Sequence, residues 1–425
     1  MVTFEKVKTL KGEVEVPADK SITHRSFILS AMACGESVVK NPLMSRDTKA
    51  TMAALKACGV QFEEIEDGFK VISKGYEHFN EPFDIINCEN SGTTARLLTG
   101  LFSPMRKYFV LTGDNSLKKR PMGRVTEPLS KMGAVIFGRN NNKNLPITIL
   151  PSEMRGIKIE STVKSAQVKS AIILAGLQID GETVYVERVK TRNHTEVMLK
   201  YYGVDLEIDN DEIKVPGKQI LKPSIVEVPG DFSSAAFFIG AALMFENSEI
   251  LIKNVGLNPT RTGFIQVLKD LGADISITVR DDSFEVRGDI FVRHSGLKGG
   301  KVEGEIIPNI IDEIPLLGVL GLFCENPLEI RDAEELRVKE SDRINSIVHN
   351  LNVVGAKIEE YNDGFKVYPI KNVNDGGVLK SFDDHRIAMI NILLAKRFGN
   401  FLIDSIESID VSFPDFIERF ELLEV

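Results

Sequence analysis

The stretch Leu268-Lys269-Asp270-Leu271-Gly272-Ala273 decides how the rest of the chain is read, because it is one of a series. The same phrase, Leu, three further residues, then Gly and Ala or Val, occurs at residues 55–60, 129–134, 199–204 and 351–356. Its glycines, Gly59, Gly133, Gly203, Gly272 and Gly355, recur at intervals of about 70 to 80 residues. A degenerate copy without glycine, at residues 420–425, closes the chain. Such a period predicts one structural unit used six times. Each phrase predicts a helix end running into a strand: the apolar residue lies on the buried stripe and Gly takes the left-handed position after the helix. The residues beyond the glycine alternate as a strand does, as in Ala273-Asp274-Ile275-Ser276-Ile277 and Val60-Gln61-Phe62. The turns Glu66-Asp67-Gly68 and Asn362-Asp363-Gly364 then predict hairpins into Phe69-Lys70-Val71 and Phe365-Lys366-Val367.

A second phrase repeats at a similar period: a polar start to an apolar helix. It reads DKSITHRSFILSA from Asp19, NSGTTARLLTGL from Asn90, SAQVKSAIILAGL from Ser165, DFSSAAFFIGAAL from Asp231, DEIPLLGVLGLF from Asp312 and DDHRIAMINILLA from Asp383. Each opens on a residue type that caps helix N-termini, and a helix N-terminus favours anions. One such start alone reads as an ordinary cap on a buried helix. The recurrence of cations beside them, Lys20, Arg25, Arg96, Lys169 and Arg386, favours a set of anion-binding positions.

Composition narrows the classes. A net charge of −9 argues against a general nucleic-acid binder, so any anion site is local. The four cysteines, Cys34, Cys58, Cys88 and Cys324, show no CxxC spacing and read as buried free thiols of a reducing cytosol. The N-terminus is charged and lacks an apolar signal core. The longest uncharged apolar stretches, residues 235–245 and 314–324, are too short to span a bilayer and predict helices buried on most sides. No GxGxxG, P-loop, HExxH or clustered Cys/His spacing occurs. His24 and His385, each followed by Arg, read as structural.

The strongest local string is ELRVKESDRI at residues 335–344, where Arg337, Lys339 and Arg343 surround Glu340 and Asp342. A helix from about Lys339 would place Lys339 and Arg343 on one face. A solvated, ion-paired surface helix is the plain reading. Against it, the string comes after a strand-like LEIRDAEEL and joins a wider set of cations near Gly, Pro or cap residues: Lys20, Arg25, Arg96, Arg120, Lys169, Arg192, Arg261 and Arg386. Arginine suits phosphate and carboxylate because its donors form a planar fork.

DKSITHR, NSGTTAR, KRPMG, SAQVK, TRNHTE, NPTRTG, RVKESDR, DDHRIAM and SFPDF occur in this order over nearly the whole chain. In these motifs the chain closely resembles the 5-enolpyruvylshikimate-3-phosphate synthases. The resemblance implies an α/β (α+β) fold of two domains, the enolpyruvyl transferase fold, with six βαβαββ repeats, three per domain, and a cleft between them. It places the chain crossings near residues 18–20 and 228–231. One domain is then discontinuous, residues 1–18 with 229–425, and carries the catalytic acid and base; the other, 19–228, carries most of the shikimate 3-phosphate site.

The reaction implied is transfer of the enolpyruvyl group of phosphoenolpyruvate to the 5-hydroxyl of shikimate 3-phosphate, with release of phosphate. By motif, Lys20, Ser21, Arg25, Ser165, Ala166 (through its backbone), Gln167, Arg192, Asp312 and Lys339 would bind shikimate 3-phosphate. Lys20, Gly92, Arg120, Gln167, Arg343 and Arg386 would bind phosphoenolpyruvate. Asp312 would accept the hydroxyl proton and Glu340 would protonate the methylene carbon, with Lys20 as the rival proton carrier. The resemblance implies no metal and no organic cofactor, small-molecule partners only, no nucleic acid or membrane, and a monomer in the cytoplasm. Glyphosate is the inhibitor it implies.

Several departures from the best-known bacterial pattern point to the second class of the family: SAQVK, TRNHTE, and Val411 where many relatives carry a phosphoenolpyruvate-binding lysine. Gly113-Asp114-Asn115 and Gly92 do not match the tolerant forms of that class, so the glyphosate response stays open, with partial sensitivity expected. Two rivals remain. The sister transferase acting on UDP-N-acetylglucosamine would show Lys-Asn at Lys20-Ser21 and a cysteine after Arg120-Pro121. A non-enzymatic DNA clamp of six repeats would need a basic inner stripe, which Asp312, Glu340 and the net charge disfavour.

Overall fold

The computed structural model describes residues 1–425 except Thr162 and the side chain of Val411. The chain forms two compact units, Met1–Pro17 with Pro229–Val425, and Ala18–Val228. Among the described residues there are five four-stranded sheets and one two-stranded sheet.

The five glycine phrases close their helices in one way. In each, the Ala or Val N–H donates back to the Leu carbonyl five residues earlier: Val60 to Leu55 (3.2 Å), Ala134 to Leu129 (3.0 Å), Val204 to Leu199 (3.0 Å), Ala273 to Leu268 (2.9 Å) and Ala356 to Leu351 (2.9 Å). The glycine N–H donates to the carbonyl three residues before it, as from Gly133 to Ser130 and from Gly355 to Asn352. This is the Schellman geometry, which satisfies the last carbonyls of a helix and needs positive φ at the glycine. The five φ values run from 79° at Gly203 to 111° at Gly133. The Leu is fully buried in all five, which explains why the phrase begins with an apolar residue.

From each such end the chain enters a hairpin. In the Ala18–Val228 unit one repeat runs strand Ile86–Asn87, helix Gly92–Phe102, strand Phe109–Thr112, helix Gly123–Lys131, then the hairpin Val135–Gly138 and Asn144–Leu150. The first two strands pair in parallel and the last strand of the hairpin lies beside the second. Strands Lys158–Glu160, Glu182–Val186, Glu207–Asp209 and Glu212–Pro216 repeat this order around helices Ala166–Gly176 and His194–Tyr201.

The third repeat of this unit is completed from a distance. Cys34–Lys40, Gln61–Ile65 and Gly68–Lys74 lack a preceding strand, and Ile225–Glu227, which directly precedes the exit from the unit, pairs in parallel with Cys34–Lys40. The other unit uses the reciprocal device: Lys11–Glu15, just before the chain leaves, pairs in parallel with Glu249–Gly256. In the last repeat, Gly377–Leu379 and Phe401–Ile403 pair in parallel around helix His385–Phe398, and among the described residues no hairpin strands follow them. An antiparallel bridge from Val2 to Ile403 stands in the place of that hairpin. The sixth copy is therefore not a full βαβαββ unit, consistent with its lost glycine.

Helices Ala166–Gly176, Phe232–Met244 and Ile314–Leu320 are enclosed on nearly all sides, as their unbroken apolar character predicts. Among the described residues no single helix is long and apolar enough to cross a membrane. Cys58, Cys88 and Cys324 are buried, which pushes the first two thiols up to about 12 and the third to about 11. Cys34 corrects the reading of uniformly buried thiols: it opens an exposed strand end.

The helix ends give a graded prediction. A Cβ at Gly133 would run into the backbone carbonyl of Glu153, whereas at Gly203 it would meet only the flexible stem of Lys222, at 3.0 Å. Both alanine variants force a left-handed residue, at about 1–2 kcal/mol. Gly133→Ala is expected to lose a further ~1–3 kcal/mol from the backbone overlap. Urea unfolding of the two variants should show the larger midpoint shift for Gly133→Ala; equal shifts would contradict a backbone clash at that position.

Candidate active site

In the Ala18–Val228 unit, cations gather at helix starts and each is held by a specific partner. Asp19 caps helix Lys20–Met32 by accepting from the Ile22 N–H at 2.8 Å, which sets Lys20 and Ser21 in the first turn. Lys20 Nζ lies 3.3 Å from Asp47. Arg25, one turn on, is buried and donates from Nε to Thr195 Oγ1 (2.7 Å), from one terminal nitrogen to Ser170 Oγ (2.9 Å) and from the other to the Ser21 carbonyl (3.0 Å).

Gly92 is the first residue of helix Gly92–Phe102, capped by Ser91. A Cβ there would lie 3.0 Å from an Arg96 guanidinium nitrogen and 3.5 Å from one of Arg120. The glycine therefore keeps clear the space under two guanidinium groups. Arg96 donates to Gln167 Oε1 at 2.5 Å, Gln167 Nε2 donates to Thr93 at 3.0 Å, and Arg120 donates to Asn90 Oδ1. Ser165 is the N-cap of helix Ala166–Gly176 but its side chain caps no N–H, so the hydroxyl is not spent on the helix. Ala166 and Gln167 occupy the first turn, whose N–H groups have no acceptor within the helix. Arg192 is half-buried in the loop before helix His194–Tyr201. Lys169 does not join these residues as an anion ligand: it is fully buried, 3.0 Å from Glu187 and 2.7 Å from Glu196.

In the other unit, Arg343 is the hub. It is buried at the start of helix Arg343–Val354 and contacts three carboxylates: Asp384 at 2.8 Å, Asp312 at 3.1 Å and Glu340 at 2.7 Å. Asp384 is fully buried; burial alone would raise its carboxyl, but Arg343 beside it leaves it below its ordinary value. Arg386 donates to the Asp312 carbonyl at 3.1 Å and lies 3.8 Å from Glu313. Glu313, buried, accepts from Ser233 Oγ at 2.5 Å, and Ser233 also accepts from Arg261 at 2.5 Å. Arg261 thus belongs to this internal network. Lys339 makes no ion pair with any described residue. Burial lowers its ammonium from the ordinary lysine value, Arg343 adds to that, and Asp312, Glu335 and Glu340 oppose it.

Three local expectations need correction. Lys339 and Arg343 do not share a helical face: Asp342 caps the helix by accepting from the Asn345 N–H at 3.1 Å, so the helix starts at Arg343 and Lys339 is extended before it. Asp312 is not an N-cap; helix Ile314–Leu320 starts after Glu313 without a side-chain cap. Two other caps fall one residue beyond the positions read, at Ser91 and Asp384. The side chain of Val411 lies outside the described residues.

Residues 4–420 match the family model of EPSP synthase (3-phosphoshikimate 1-carboxyvinyltransferase). The chain belongs to that family. Relatives named 3-phosphoshikimate 1-carboxyvinyltransferase include those of Aquifex aeolicus, 45% identical over 98% of both chains, and Bacillus subtilis, 43% identical over 99% of this chain and 98% of the relative. A solved EPSP synthase from Acinetobacter baumannii is 36% identical over 99% of this chain and 97% of its own, with a TM-score of 0.87. The enolpyruvyl transferase NikO from Streptomyces tendae is 14% identical over 99% of this chain and 96% of its own, with a TM-score of 0.78, a likeness of fold. The fold is the two-domain mixed α/β fold of these enzymes.

The family motifs contain the cations but leave their partners unmarked. Asp47, Ser170 and Glu313 do not stand out in the sequence; Asn90, Thr195 and Asp384 lie within the quoted motifs, but nothing in those motifs marks them as partners of Arg120, Arg25 and Arg343. Asp384 carries only the signal of its place before His385-Arg386 at a helix start.

His24, between Lys20 and Arg25, is buried with Nδ1 2.7 Å from Thr51 Oγ1. Burial, then the charges of Lys20 and Arg25, hold its imidazole well below the ordinary 6.5. The folded chain therefore keeps His24 neutral at a pH where the unfolded chain protonates it. Its stability is full above about pH 6.5 and falls, by up to ~1.4 kcal/mol per pH unit, as the pH drops towards the folded-state value. His24→Gln is expected to flatten the pH 7 to 5 dependence of the urea midpoint by that amount; an unchanged slope would count against a neutral buried His24.

Proposed function

We propose that the chain works as its family does, transferring the enolpyruvyl group of phosphoenolpyruvate to the 5-hydroxyl of shikimate 3-phosphate in aromatic amino acid biosynthesis. Family membership over residues 4–420 supports the reaction. The residue roles are supported chiefly by one observation: a buried guanidinium, Arg343, shared by Asp312 and Glu340, with Lys339 next to Glu340 in sequence.

In this proposal the Ala18–Val228 unit supplies most of the shikimate 3-phosphate ligands: Lys20, Ser21, Arg25, Ser165, Ala166, Gln167 and Arg192. By the family motifs, Lys339 and Asp312 are the remaining ligands. Phosphoenolpyruvate is held by Lys20, Gly92 (through its backbone), Arg120, Gln167, Arg343 and Arg386. Asp312 takes the 5-hydroxyl proton as the oxygen attacks C2 of phosphoenolpyruvate, and Glu340 protonates C3, giving a tetrahedral intermediate. Loss of a proton from the new methyl group restores the double bond as phosphate leaves.

The charges support Glu340 as the acid. While Arg343 binds it at 2.7 Å the carboxylate is favoured. Once substrate oxygens take over Arg343, Glu340 loses a cation and gains an anionic neighbour, and both changes favour its protonated form. Lys20, paired with Asp47, is the second candidate donor. We assign the reaction to the cytoplasm, since its substrates are highly charged metabolites, and to a monomer, as the family resemblance implies. The absence of a side chain at Gly92, where a Cβ would crowd Arg96 and Arg120, supports at least partial sensitivity to glyphosate.

Phosphate release from phosphoenolpyruvate, with shikimate 3-phosphate or UDP-N-acetylglucosamine as acceptor, tests the proposal. Release is expected only with shikimate 3-phosphate; release only with the sugar nucleotide would transfer the assignment to the sister enzymes. The role of Lys339 predicts a pH effect. Its lowered ammonium must stay charged to bind an anion, so kcat/KM for shikimate 3-phosphate should fall as the pH rises through its folded value. Lys339→Arg, charged throughout, should move that alkaline limb upward, and an unmoved limb would assign it to another group.

A further inference from the structure

The loop that carries Arg192 is tied to a buried ionic triad. The chain has no regular structure between Val186 and His194, so side-chain bonds set its course. Lys169 reaches Glu187 at 3.0 Å and Glu196 at 2.7 Å. Glu187 Oε1 accepts from both the N–H (3.0 Å) and the hydroxyl (2.5 Å) of Thr191, and Lys169 donates to the Thr191 carbonyl at 3.4 Å. The donors and the acceptor of the residue just before Arg192 therefore all end on the triad. On the far side of Arg192, Glu196 lies in the first turn of helix His194–Tyr201, next to Thr195, whose hydroxyl accepts from Arg25. Lys169 itself precedes Ser170, the other hydroxyl on Arg25.

A buried cluster of this kind adds little net stability compared with apolar packing. Its consequence is geometric. We infer that the Lys169–Glu187–Glu196 triad is a positioning device that sets Arg192 for the phosphate of shikimate 3-phosphate, acting through Thr191. The inference rests on the proposed role of Arg192. Glu187, Glu196 and Lys169 touch no substrate in this arrangement. A merely structural triad would affect stability, or both substrates alike; a positioning triad affects one substrate and only while Arg192 is present.

The test is steady-state kinetics of Glu187→Ala, Glu187→Gln, Thr191→Val, Arg192→Ala and the double variant Glu187→Ala/Arg192→Ala, each with its melting temperature. Glu187→Ala leaves Lys169 paired with Glu196, so no uncompensated charge is buried. It is expected to raise KM for shikimate 3-phosphate about tenfold, with KM for phosphoenolpyruvate within about twofold. Glu187→Gln, whose amide oxygen still accepts from Thr191, should restore most of the loss, and Thr191→Val should cost about threefold. The double variant should bind shikimate 3-phosphate no worse than Arg192→Ala alone. If Glu187→Ala does not fold, Glu187→Gln and Thr191→Val carry the test. A shikimate 3-phosphate KM unmoved in Thr191→Val, both KM values rising together, or additive losses in the double variant would overturn the positioning role. An unmoved KM in Arg192→Ala would instead overturn the proposed role of Arg192, and the inference with it.

Discussion

A helix end leaves its last carbonyls without partners inside the helix, and here the chain must turn at once to build the next strand. The constraint is met five times here by the same two bonds, from Gly to the carbonyl three residues back and from Ala or Val to the Leu five back. Everything in a repeat depends on that turn. It buries the Leu and directs the chain into the hairpin, while the polar, cation-bearing segments open the other helix of each repeat. In the copy without the glycine no hairpin occurs among the described residues, and Val2 pairs with Ile403.

The polar helix starts impose a second constraint. Arginine and lysine brought next to apolar helices lose water and need partners. The chain supplies them unevenly. Arg25 is held by two hydroxyls and a carbonyl, all uncharged, so its positive charge is not cancelled by these contacts. Arg343 is surrounded by three carboxylates and Lys169 by two. Residues of one type, at similar places in successive repeats, are thus put to different uses by their neighbours.

That difference separates what is legible in the sequence from what is not. The repeat, the helix ends and the hairpins are legible because a Schellman turn is made by six consecutive residues, and its requirements for Leu, Gly and a small apolar residue all show in one phrase. The Phe69 and Phe365 hairpins are equally local. The closing strands at Lys11–Glu15 and Ile225–Glu227 are not, because they pair with strands far along the chain. The same holds for charge: Lys169 and Lys20 look alike at helix starts, and only tertiary packing sets Lys169 against Glu187 and Glu196. The helix boundary before Arg343 is misread because Asp342 looks like one more acid in a charged run, whereas its side chain ends the extended segment by capping.

Charge balance also governs how the Arg343 cluster meets an anion. Lys339, Arg343 and Arg386 lie among Asp312, Glu313, Glu340 and Asp384, so the local carboxylates outnumber the cations. Such a cluster is not a ready-made anion hole. An incoming phosphate or carboxylate competes with Glu340 and Asp312 for one guanidinium, and at close range each added negative charge raises the energy of the rest. In the proposed reaction the cluster relieves this by taking up a proton, and the carboxyl that gives up Arg343 is the one best placed to hold it. Asp384 is the least suited, being a helix cap that also accepts from Ser341 and the Arg386 N–H. Glu340 is the most exposed of the three carboxylates on Arg343, and in the proposal it is the one that gives up the guanidinium. In the proposed reaction, substrate binding and loading of the catalytic acid are then one event, and the excess of carboxylates that makes the cluster a poor anion site is what would make it a proton donor once filled.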